Sequence, residues 1–129
     1  MKKILLIVST VLLFAILVAF GIYGFSKIIY NSCNCKRFNI DNIELRTGIN
    51  IPEIKTVTCN YNEITKTKKS SFIIDTKEVN IEDYIQKNKL AKADENNLYT
   101  KSNDIKSHAY KVILNKNTGK LEVQINFKD

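Results

Sequence analysis

Ile4-Leu5-Leu6-Ile7-Val8-Ser9-Thr10-Val11-Leu12-Leu13-Phe14-Ala15-Ile16-Leu17-Val18-Ala19-Phe20-Gly21-Ile22-Tyr23-Gly24-Phe25 carries no charge, no side-chain amide and no proline. As a helix rising about 1.5 Å per residue, this stretch reaches roughly 33 Å, enough to cross a hydrocarbon core of about 30 Å. Only a helix suits so short a crossing, because each backbone N–H and C=O must find its partner within the segment. Ser9 and Thr10 can return their hydroxyls to carbonyls one turn earlier, which keeps them cheap in lipid. Residues 1–25 are therefore expected to form an N-terminal transmembrane anchor, making the chain a single-pass membrane protein.

Two other readings of the same stretch compete. Met1-Lys2-Lys3 is a positive start and Ala19-Phe20-Gly21 a small-x-small site, the pattern of a cleaved secretory signal. The apolar run continues to Ile28 and Ile29, longer than a signal needs, and this favours an uncleaved signal-anchor. The other reading is lipidation of Cys33, for which Tyr30 and Asn31 are a poor approach. Lys2 and Lys3 on one side nearly balance Lys27, Lys36 and Arg37 on the other. Charges ahead of a first helix usually dominate, so the C-terminal domain is expected to be extracytoplasmic.

The chain has 20 Lys+Arg against 13 Asp+Glu, a formal charge of +7. Five of the basic residues lie before residue 38, where there are no acids, leaving 15 basic and 13 acidic residues beyond it. The excess thus flanks the membrane, where Lys27, Lys36 and Arg37 can contact lipid head groups. Nucleic-acid binding would need a clustered basic patch on the folded body and is not expected. Lys66-Thr67-Lys68-Lys69 is the nearest approach to one and reads as a solvated turn. Heavy use of Ile, Asn and Lys, with only two arginines, points to a bacterial source.

Residues 26–37 form a basic juxtamembrane connector, and residues 38–129 one small α+β domain with a single modest core. Two helix starts stand out. Asp41 can cap a helix, with Glu44 reaching back and Ile40 and Leu45 as a hydrophobic staple; Gly48 then offers a left-handed stop. Asn80 repeats the arrangement, with Val79 stapled to Tyr84 and Ile81, Tyr84 and Ile85 sharing a face.

Four runs read as strands. Val57, Cys59 and Tyr61 alternate on one side of the first, and Ser71 to Asp75 make the second, with a polar hairpin loop from Asn62 to Ser70. Tyr110, Val112 and Leu114 share a face, as do Leu121, Val123, Ile125 and Phe127 across a turn at residues 115–120. The expected order is α-β-β-α-β-β: a four-stranded antiparallel sheet with two short helices on one face. Lys89 to Lys106 has no strand pattern and is expected to extend the second helix through Leu90, Ala91 and Ala93, or else to form a functional loop.

Chemistry is sparse. Cys33, Cys35 and Cys59 are an odd set, and one of the first two can bridge to Cys59 in an exported body; alternatively Cys59 is a small buried hydrophobe. One His with three Cys lacks the paired spacing of a zinc site. Any Cys–His pair must be Cys59 with His108, both on strands. The carboxylate neighbours Glu82-Asp83 and Asp94-Glu95 suit caps and solvated faces, and the four glycines are isolated. No catalytic, cofactor-binding or metal-binding set is expected, and no enzyme. The expectation is a membrane-anchored binding module of a bacterial envelope, its protein partner unspecified, held in lipid through residues 4–25. The alternative is a structural envelope protein touching lipid or wall through its basic connector.

Overall fold

The computed structural model of the chain describes residues 2–31, 33 and 36–128. An N-terminal apolar helix precedes a six-stranded antiparallel sheet that two further helices cover on one side. The first helix, α1, runs Lys2–Asn31; its stretch Lys3–Phe25 is long and apolar enough to cross a membrane, and none of it is buried. Ser9 and Thr10 both donate to the Leu6 carbonyl, at 3.3 and 2.9 Å, so neither hydroxyl is left unpaired.

Helix α2 spans Lys36–Thr47 and begins a full turn before the expected cap. Asp41 is an interior residue, and Leu45, expected to staple, is 83% exposed. The buried stripe is instead Asn39, Asn42, Ile43 and Thr47, a three-to-four spacing through mostly polar residues. Glu44 turns forward and accepts from the Ile51 N–H at 2.7 Å. Gly48 ends the helix at φ +62°, its N–H on the Glu44 carbonyl at 2.9 Å.

Strands β1 (Ile54–Asn62) and β2 (Thr67–Ile74) make the first hairpin. β2 begins four residues earlier than expected, and alternation carried back from Phe72 through Ser70 puts Lys68 on the core side, 1% exposed. The expected solvated turn at residues 66–69 is corrected accordingly. Helix α3 (Ile81–Lys87) is capped by Asn80, whose side-chain oxygen accepts from the N–H groups of Glu82 and Asp83.

Beyond α3 the expected helical extension does not occur. Lys89 adopts φ +54° and the Leu90 N–H bonds to the Ile85 carbonyl at 3.0 Å, which ends the helix and buries Leu90. Ala91–Lys92 then form β3 and Leu98–Asp104 form β4, a hairpin whose turn holds Asp94 and Glu95. The segment from Lys89 to Lys106 thus supplies a hairpin of two strands, and the described residues form six strands and three helices. β5 (His108–Asn115) and β6 (Lys120–Phe127) complete the order β1-β2-β6-β5-β4-β3.

The core lies between the sheet and the pair α2 and α3. Val123 faces Ser70 on one neighbour and Val112 on the other; Leu121 faces Phe72 and Leu114. Ile43 from α2, Tyr84 and Ile85 from α3, and Ile49 from the connecting loop close over these rows. The Tyr84 hydroxyl donates to the Asn50 carbonyl at 2.7 Å, and the Asn88 side-chain oxygen accepts from the Asn50 N–H at 2.8 Å. These bonds fix the loop between α2 and β1 against α3.

Candidate functional site

Strict alternation gives the sheet a second face that no helix covers. Two cross-strand rows run over its centre. Asn60, Lys69, Gln124, Lys111 and Ser102 make one; Thr58, Ser71, Glu122, Ile113 and Thr100 make the next. Their members on β1, β2, β6 and β5 floor a concavity of about 400 Å³. A second hollow of about 400 Å³ continues toward Asn62, Thr65 and Thr67 at the β1–β2 end. Glu122 is held by Lys120 at 2.6 Å. Lys69 and Lys111 lie two strands apart, about 10 Å, on either side of Gln124, and neither has an ion-pair partner among the described residues. The two rows offer hydroxyls, amides, two cations and the Lys120-paired carboxylate of Glu122 around one apolar residue, Ile113. Such a surface suits an extended polar or anionic partner better than an apolar one.

The covered face holds a polar cluster of its own. His108 is 4% exposed; its Nε2 lies 2.9 Å from the Arg46 carbonyl and its Nδ1 2.9 Å from the Ser107 hydroxyl. The Arg46 guanidinium sits 4.8 Å over the Phe127 ring, and burial lowers its pKa. Lys68 is pushed down to about 8, chiefly by burial and then by the Arg46 charge. Ser70 donates to Asn39 Oδ1 at 3.2 Å, linking β2 to α2.

Cys59 and Cys33 are joined in a disulfide, with Cα atoms 5.5 Å apart. Cys33 lies two residues beyond the end of α1, so this bond ties the chain just past that helix to the middle of β1. Cys35, the other candidate, lies outside the described residues. Lys27 belongs to the last turns of α1, while Lys36 and Arg37 open α2 with their side chains exposed. The structure does not bring Cys59 and His108 together. They are three strands apart, and His108 is four residues along β5 from Val112, which shares the cross-strand row of Cys59. Among the described residues no group of three or more His, Cys, Asp or Glu is placed to hold a metal ion.

Sequence reasoning missed the inward Lys68 and the rows that β4 completes. Extending the alternation of Phe72 and Ile74 backwards would have found the lysine. The Arg46–His108 contact spans 62 residues and has no local signal. With the geometry in view, comparison with protein-family models, curated proteins and solved structures gives no match.

Proposed function

We propose that the chain is a membrane-anchored binding module without catalytic activity of its own, which presents the uncovered sheet face to a protein partner in a bacterial envelope. The observation that carries this reading is the pair of polar rows centred on Gln124, concave and left open by both helices. The apolar helix α1 supports lipid anchoring, and the Cys33–Cys59 bond supports a body in an oxidising compartment outside the cytoplasm. The engagement of the Cys59 sulfur and the burial of His108 speak against a nucleophile and base at those positions.

A photoreactive side chain in place of Gln124, activated in native membranes, tests the reading. A discrete crosslinked protein is expected from that position and none from Leu45, which is exposed on α2 away from the sheet face. The exposure of Lys36 and Arg37 next to the anchor favours a second reading, a structural role with lipid or wall contact through the connector. Crosslinks to lipid or wall polymer alone, from positions 36 and 37 and not from 124, would replace the first reading with this one.

A further inference from the structure

The two edges of the sheet are built differently. On one side the edge is β3, two residues long, followed by the charged turn at Asp94-Glu95, and Asp104 at the end of β4 is paired with Lys128. Short strands and charges are the usual protection of an edge. On the other side the edge is β1, nine residues of extended chain with no proline and no glycine. Its one charged side chain, Lys55, is occupied by Asp75 at 3.3 Å, and from Thr56 to Asn62 it carries no charge. Among the described residues, β2 is the only strand paired with β1, and no turn or loop backbone group bonds to its outer side. An edge of this length and neutrality is a template for another strand.

We propose that β1 pairs antiparallel with β1 of a second copy of this chain, joining two six-stranded sheets into one across a two-fold axis near Thr58. The neutrality of β1 is what makes a second copy the fitting occupant. An antiparallel pair about Thr58 sets Thr58 opposite Thr58, Asn60 opposite Thr56 and Lys55 opposite Tyr61, so no like charges meet and Thr opposite Thr is favourable. The anchor supplies the second reason. Cys59, mid-strand on β1, is bonded to Cys33 just past α1, so copies that meet anchor to anchor meet β1 to β1. An edge pair alone buries too little for a stable dimer in dilute solution, and confinement to a membrane raises the effective concentration that compensates. The proposal therefore rests on the reading of α1 as a membrane anchor.

The test uses the full chain in native membranes, with a photoreactive side chain in place of Asn60 and carbonate fractionation of the same samples. A crosslinked homodimer is expected from position 60 and not from Ser102 at the other edge. Thr58→Lys, which opposes two ammonium groups near the axis, is expected to lower the dimer yield about fivefold. Retention of the Cys33–Cys59 bond on a non-reducing gel verifies its fold, and Asn60→Lys, with the probe moved to Thr56, takes its place if that bond is lost. Dimer yield unchanged by a folded Thr58→Lys chain, or a crosslink from position 60 only to a different polypeptide, overturns the proposal. A membrane-retained chain with no dimer overturns the pairing and leaves the anchor standing; a chain washed off by carbonate overturns both.

Discussion

The sulfur of Cys59, in the middle of the edge strand β1, is bonded to that of Cys33, two residues past the end of α1, and their Cα atoms are 5.5 Å apart. One covalent link thus tethers the chain just past the apolar helix to the sheet. The bond closes a loop across a sequence separation of 26 residues, and that loop contains all of α2. In the chain-entropy account it contributes roughly 3 kcal/mol. Cys59→Ala in the full chain, in detergent micelles, is expected to lower the denaturant midpoint by the equivalent amount. An unchanged midpoint would mean that α2 docks without the bond.

Redox state and orientation are tested together in intact cells. With the body outside, an impermeant maleimide should label the chain more strongly after an impermeant reductant has opened the Cys33–Cys59 bond. Labelling that appears only after lysis would place the body in the cytoplasm.

The last hairpin separates core from wet face within one residue. Val123 is 2% exposed between Ser70 and Val112, whereas Gln124 faces out beside Lys69 and Lys111. Val123→Asp buries a carboxylate at a cost of several kcal/mol, a large part of the roughly 5–10 kcal/mol such a domain possesses. Gln124→Asp should change stability by less than about 0.5 kcal/mol. Thermal melts of the two variants check this; equal damage would contradict the face assignment.

Stability should also rise on the alkaline side. The Lys68 ammonium, held at about 8 when folded against the ordinary 10.5, binds its proton less tightly in the native state. Between those values the unfolded chain takes up more protons, so stability increases with pH. Tyr84 has the opposite sign: burial, then the Glu44 charge, pushes its hydroxyl above the ordinary 10, and stability falls as pH climbs past that value. With thiols alkylated, unfolding midpoints should increase by about 1–2 kcal/mol equivalents from pH 7.5 to 9.5 and then decline. Lys68→Met should remove the increase and keep the decline. A flat profile in the parent chain would contradict the burial of Lys68.

Elements with their own periodicity were legible in the sequence. The apolar run of α1, the Asn80 cap of α3 and the alternating faces of β5 and β6 each follow from residues within one element. What depended on distant partners was not. The Asp41 and Glu44 spacing resembles a capping box, but it also fits a helix interior, and the helix start at Lys36 goes with the burial of Asn39, which accepts from Ser70 on the sheet. β4 is polar at Ser102, Asn103 and Asp104 because it lies near the sheet's edge, so it lacks the alternation that marks the central strands. The open-face rows were half visible, in the outward Glu122 and Gln124. Their partners on β1, β2 and β4 are supplied by sheet order, which pattern alone does not give.

Alkaline carbonate fractionation of cells making the full chain, with the mass of the recovered protein, tests the membrane anchor most directly. The intact 14.8 kDa chain is expected in the membrane pellet, still carrying Lys3–Phe25. A soluble, shorter chain beginning near Ile22 would show that the segment is a cleaved signal and contradict that expectation.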